Sequence, residues 1–301
     1  MPYLEEFTLH DRTYEDDIVH DDDGPISLFD GETVPRLADL CFFGSVALRY
    51  SSPLATITTL HIGCQLPRVP FTEFAIALAS YPHLTFLAIY DDMFTSISWG
   101  GFDRTIEVPQ LESLFILGNV ISTPKLLVSL SAPKLRELII APFIEDDLIE
   151  LKNVIDVGTE SPFPLLSSLT LAPAHSGVWA LRIASTCFPQ VRKLIVASVS
   201  KISLTYLWME KTMSRTLFSA LTELAVTDID LDVLSILGKI SRSYMRAGIP
   251  CVQKAYIDSA SWGRMEGKLG ACDLEKILLV LLTSLKLNTI FALHLAEDSR
   301  A

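Results

Sequence analysis

The sequence predicts an α/β solenoid of about ten irregular strand–helix units, stacked so that their strands form one parallel sheet along the inside of a curve. Three observations predict it. A short phrase, P-x-L-x-x-L-x-[IL], recurs along the whole chain. Its spacing matches one supersecondary unit, and the stretches between copies carry apolar residues at helical spacing.

The phrase opens at 2–9 and returns at 35–40, 57–62, 82–89, 109–116, 133–140, 164–171, 189–196, 221–226 and 250–257. Its first apolar positions are 4, 37, 57, 84, 111, 135, 166, 191, 221 and 252, so successive copies lie 20 to 33 residues apart. A repeat of about 20–29 residues built on L-x-x-L-x-L is the leucine-rich repeat, and the longer gaps fit copies with inserted loops.

Each part of the phrase has a physical role. The last three positions alternate with period two and read as a short strand whose two apolar side chains point inward. The first Leu also turns into the core. The proline ends the preceding element and tolerates a position with no ladder donor. Helical spacing appears in 71–79, 146–155, 178–188 and 231–245. Asp146 and Asp147 stand at the start of the second of these, where a helix favours acids.

One unit cannot bury its own apolar face, whereas stacked units cover each other. Ten rungs at ~4.8 Å give a concave sheet roughly 45 Å long. The expected organisation is a single solenoid domain over 1–301, with 272–301 as a C-terminal cap. A TIM barrel or a doubly wound sheet also alternates strands and helices. Their strands are covered on both faces and read as continuous apolar runs. Here Thr8, His61 and Thr170 sit between strand leucines or isoleucines, and no phosphate-binding glycine loop follows any strand.

Composition bounds the function. The chain has 301 residues, is 50% hydrophobic and carries a net charge of −12. Residues 1–30 hold ten acids and one base, which leaves −3 for the remainder. A nucleic-acid footprint needs a basic face, so no nucleic-acid partner is expected. Five scattered cysteines (Cys41, Cys64, Cys187, Cys251, Cys272) form neither a disulfide framework nor a zinc cluster. They read as free thiols of an intracellular protein, cytoplasmic or nuclear. No signal peptide is evident. The apolar stretch 277–296 contains Lys286, Asn288 and His294 and reads as an amphipathic closing segment rather than a membrane span.

The copies Ala132–Leu138 (APKLREL), Tyr81–Leu87 (YPHLTFL), Phe163–Leu169 (FPLLSSL) and Phe188–Leu194 (FPQVRKL) resemble the repeat region of fungal F-box proteins of the basidiomycete type. The lead-in Ser51-Ser52-Pro53-Leu54 is similar too, and the resemblance covers roughly 1–260. It implies a substrate-recognition part of a ubiquitin ligase receptor, or a remnant of one. Two departures stand out. The F-box that docks a cullin-type ligase adaptor is not recognisable before the first copy, so that adaptor is a partner only if an F-box lies outside this chain. The asparagine that ties successive turns together occurs only as Asn119; the equivalent positions hold Asp92, Phe143, Ala174 and Val199.

Function is expected on the concave sheet face. The residue between the two strand apolars faces it, which places His61, Phe115, Ile139, Ile195 and Tyr256 in one column together with Thr8, Cys41, Ala88, Thr170 and Ala225. The residue before the second Leu faces the same way, adding Phe86 beside Glu6, Asp39, Thr59, Ser113, Glu137, Ser168, Lys193, Glu223 and Lys254. Phe86, Phe115, Ile139, Ile195, Tyr256 and His61 are the candidate partner-binding residues, since contiguous exposed apolar side chains and aromatic anchors mark interfaces. The loop 95–108, with Trp99 and Phe102 around a Gly pair, reads as a plug over the core edge or as a binding finger.

No catalytic, cofactor or metal residues are expected. The acidic run 15–23 lacks the spacing of a calcium loop. The six histidines show no paired-ligand pattern, and no nucleophile elbow appears. Cys41 and His61 can meet only across neighbouring strands. The leading function is a protein–protein interaction scaffold with an unknown protein partner. The competing readings are an α/β enzyme with a strand-end site, and a membrane-associated protein acting through 277–296.

Overall fold

The computed structural model describes residues 4–10, 36–43, 56–63, 71–90, 105–118, 123–143, 146–156, 163–173, 178–197, 218–227, 232–233, 254–257 and 261. The chain divides into two compact units, Met1–Ser167 and Ser168–Ala301. Ten of its strands pair in parallel sheets in chain order.

In the first unit these are β1 (Glu6–His10), β2 (Asp39–Phe43), β3 (Thr59–Gly63), β4 (Phe86–Tyr90), β6 (Ser113–Leu117) and β8 (Glu137–Phe143). Each pairs parallel with the next copy in the sequence. In the second unit β9 (Ser168–Pro173), β10 (Lys193–Val196), β11 (Glu223–Val226) and β12 (Lys254–Ile257) do the same. In neither unit do the two outermost strands pair, so neither sheet closes into a barrel.

Burial alternates along β2, β6 and β10 and along the first five residues of β8. Leu40, Leu60, Leu87, Leu114 and Leu138 are buried, as are Phe42, Ile62, Ile89, Ile116 and Ile140 two residues later. The first apolar residue of five copies in the first unit (Leu37, Ile57, Leu84, Leu111, Leu135) is buried as well, while Leu4 is half-buried. The residues between them are mostly half-buried. One sheet face is therefore core and the other is open, which is the opposite of a doubly wound sheet.

The proline of the phrase does more than stop the preceding element. It occupies the second position of a hydrogen-bonded β-turn, where its fixed φ is already correct. The N–H of the first Leu donates to the carbonyl three residues back in Leu84→Tyr81 (3.2 Å), Leu111→Val108 (3.1 Å), Leu135→Ala132 (3.0 Å), Leu166→Phe163 (3.2 Å) and Val191→Phe188 (3.2 Å). All ten of those residues are buried, so each turn pins two core side chains.

A second device joins consecutive rungs. The carbonyl after the first apolar residue accepts two N–H groups from the next copy. Ala38 receives Thr58 and Thr59, Thr58 receives Thr85 and Phe86, Thr85 receives Glu112 and Ser113, and Glu112 receives Arg136 and Glu137. Hydroxyls add to it where the sequence supplies them, as Thr85 Oγ1 donates to the Thr58 carbonyl at 3.1 Å. This ladder runs without the asparagine column, and the asparagine-equivalent Phe143 is a core residue instead.

The segments between strands form the other layer. In the first unit they are α1 (Phe71–Ala79), β5 (Ile106–Glu107), α2 (Thr123–Ser129), β7 (Leu130–Ser131) and α3 (Asp146–Asp156). They follow one another in space: α1 lies beside β5, β5 pairs parallel with β7, and α2 packs on α3. Helix α1 buries Phe71, Phe74, Ala75 and Leu78 and exposes Ile76. In the second unit α4 (Val178–Cys187) plays this part and buries Leu181 and Ala184.

Two expectations need correcting. The stretch 95–108 is not loop throughout, because Ile106 and Glu107 form β5, with Ile106 and Val108 buried on either side of exposed Glu107. Helix α2 was not visible at all. It has seven residues, and Pro124 in its first turn is a favoured helix-start position. Of the helix expected over 231–245, only Asp232 and Val233 are described, and they are helical. The expected cap 272–301 lies outside the described residues.

The alternation predicts a sharp contrast in stability. Leu114→Ala, in the core column, should lower the unfolding free energy by about 2–5 kcal/mol. Thr59→Ala, on the open face, should change it by no more than about 0.5 kcal/mol. Urea unfolding measures both, and equal losses would mean that the faces are misassigned.

Candidate interaction surface on the open sheet face

The parallel register lines up three rows across the open face of the first unit. The first is Glu6, Asp39, Thr59, Phe86, Ser113, Glu137. The second is Thr8, Cys41, His61, Ala88, Phe115, Ile139. The third is His10, Phe43, Gly63, Tyr90, Leu117, Ala141. The first two rows coincide with the expected columns. The third lies one step beyond the second strand apolar residue, where the phrase was taken to end.

The structure brings four of the candidate residues onto this one face: His61, Phe86, Phe115 and Ile139, all half-buried. Ile195 and Tyr256 belong to the second unit, in a row with Thr170 and Ala225. Ile195 is half-buried and Tyr256 is 40% exposed.

The rings on the first unit's face are contiguous. Phe86 meets Phe115 edge-on with centroids 4.7 Å apart. His61 lies 5.1 Å from Phe86 and stacks on Tyr90 at 6.0 Å. Tyr90 lies 5.5 Å from Phe43. The cluster thus spans β2, β3, β4 and β6. Phe43 and Tyr90 were missed by sequence reasoning, although their signal was present: each stands two residues beyond an open-face position, on the same side of its strand.

Small residues make the cluster possible. Ala88 lies at its centre, flanked in the register by His61 and Phe115 and along its strand by Phe86 and Tyr90. It is 0% exposed although it faces the open side, because the larger side chains around it cover it. Gly63 separates Phe43 from Tyr90 in the third row. A Cβ on Gly63 would stand 2.6 Å from Phe43 Cδ1 and 3.3 Å from Tyr90 Cβ. The missing side chain is what lets those two rings meet over β3.

Burial shifts the titratable groups of the cluster towards their neutral forms. Burial pushes the Cys41 thiol up; the Thr8 hydrogen bond pulls it back, while Glu6 and Asp39 add to the rise. Burial lowers His61, and Asp39 and Glu6 oppose that shift. Burial also raises Tyr90, with Cys41 adding to it. His61 Nδ1 and the Tyr90 hydroxyl share a hydrogen bond of 3.0 Å. Cys41 and His61 do face each other across β2 and β3. The upward shift at Cys41 disfavours the thiolate, and the imidazole Nδ1 is engaged by the Tyr90 hydroxyl.

Among the described residues no group of three or more His, Cys, Asp or Glu side chains is placed to hold a metal ion. Among them, too, no helix is long and apolar enough to cross a membrane. Trp99, Phe102, the acidic run 15–23 and the stretch 277–296 lie outside the described residues. No family model, no curated protein and no solved structure matches this chain.

Two outcomes are expected. Gly63→Ala should destabilise by about 1–3 kcal/mol through overpacking, and should cost much less in a Phe43→Ala background. Urea unfolding of the four proteins checks it, and a neutral Gly63→Ala would refute the close approach. His61 has a depressed folded pKa, so the unfolded chain takes up its proton first as pH falls. Its contribution to stability is complete above the unfolded value of about 6.5 and is lost as pH falls through that value towards the folded one. The urea midpoint should therefore drop more between pH 7.5 and 5.5 in the wild type than in His61→Gln, and equal drops would contradict the shift.

Proposed function

We propose that this chain is a leucine-rich-repeat solenoid of the kind found in fungal F-box proteins, and that the open face of its first unit docks a protein partner. The solenoid reading is supported by parallel strands in chain order, a turn repeated at five prolines, and a hydrogen-bond ladder linking consecutive rungs of the first unit. Such an array extends one face by repetition, which suits recognition of an extended partner.

One observation carries the docking reading: five contiguous rings, His61, Phe86, Phe115, Tyr90 and Phe43, are only half-buried on the face opposite the core. Aromatic side chains bring large contact area with few rotatable bonds, and they dominate interface energetics. The same face offers a ring-lined surface suited to recognition. In a ligase receptor this surface would hold the substrate, and a cullin-type adaptor would be a partner only if an F-box exists outside this chain.

Affinity capture with mass spectrometry tests the reading, comparing the wild type with a Phe86→Glu/Phe115→Glu variant whose circular dichroism spectrum is unchanged. Loss of a specific prey is expected. Capture that is unaltered by the two charges would reject this surface.

A further inference from the structure

The charges around the rings identify the chemistry of the docked segment. The three rows of the first unit's face contain Glu6, Asp39 and Glu137 and no Lys or Arg. Among the described residues no ion pair engages these three acids; Glu137 accepts only a hydrogen bond from Ser113 Oγ at 3.3 Å. Phe86 stands midway in the first row, two strands from Asp39 on one side and two strands from Glu137 on the other. At the usual strand spacing each gap is about 10 Å. An aromatic platform thus lies between two unpaired carboxylates.

That pattern fits a basic ligand. A guanidinium stacks on an aromatic face, and nearby carboxylates strengthen its hold. We infer that the first unit's open face takes a basic segment of its partner, with one Arg on the Phe86–Phe115 rings and further cations reaching Asp39 and Glu137. The inference rests on the docking reading above and adds the partner's chemistry. A segment in the polyproline II conformation has three residues per turn and rises about 3.1 Å per residue, so cations three residues apart share one side and match the two gaps of about 10 Å.

The other occupants fit less well. A second copy of this chain brings a further net charge of −12, and like charges across an interface are costly. A phosphate backbone is repelled by the same acids. The second unit's face mixes Lys193 and Lys254 with Glu223, so the inference is confined to the first unit.

The test uses the full chain and a fluorescein-labelled peptide, three repeats of Gly-Ser-Arg, with Glu-for-Arg and Lys-for-Arg versions. Fluorescence anisotropy reads binding at low salt. The Arg peptide should bind, the Lys peptide more weakly and the Glu peptide not at all. Asp39→Asn/Glu137→Gln should weaken the Arg peptide about tenfold, and Phe86→Leu, which keeps the apolar bulk and removes the ring, about threefold. Raising the salt should weaken the wild type more than the neutralised variant. The acids of 15–23 are intact in that variant, so full retained affinity would place binding elsewhere and overturn the proposal. Equal binding of the Arg and Glu peptides, or no binding of either, would overturn it too. If the peptides fail while Phe86→Glu/Phe115→Glu still abolishes prey capture, the docking face stands and its basic specificity falls.

Discussion

A parallel pair of strands sets the same repeat position of two consecutive copies side by side, and every other feature of this molecule depends on that register. Side chains alternate between faces with period two, so a slip of one residue would send a core column of leucines to water. Strands β4, β6 and β8 are protected against such a slip in three ways. Two apolar side chains per strand are buried, the proline turn fixes where the strand begins, and one carbonyl per rung takes two donors from the next copy. None of these depends on the residues between the apolar positions, which leaves the open face free to vary.

On that face variation has produced a cluster rather than a solvated surface. Large rings converge because small residues stand between them: Ala88 beneath His61, Phe86 and Phe115, and Gly63 between Phe43 and Tyr90. The same crowding partly desolvates Cys41, His61 and Tyr90, which favours their neutral forms. The first row carries the carboxylates Glu6, Asp39 and Glu137. Rings beside unpaired acids are the pattern on which the proposed basic ligand rests.

Much of this was legible in the sequence. The phrase repeats often enough that the two strand columns could be set in register, and Phe86, Phe115, His61 and Ile139 fall where alternation puts them. What escaped has physical reasons. Phe43 and Tyr90 were missed because the phrase carries no apolar marker beyond its last core residue. Helix α2 is too short to display a 3.6-residue period, and β5 and β7 have two residues each. The burial of Ala88 is a property of its neighbours and not of its own position. The role of the prolines was half seen: the break was clear, but the turn depends on a hydrogen bond that only the fold reveals.

The central claim is that the strands of the first unit lie in chain order in an open sheet. Pulsed electron resonance between spin labels at Glu6→Cys and Glu137→Cys, with the native cysteines replaced, tests it most directly. Five strand spacings separate these first-row positions, so the account predicts a distance centred at about 24 Å, broadened by the label tethers. A separation of one or two spacings, roughly 5–10 Å, would mean that β1 and β8 approach each other and would contradict it.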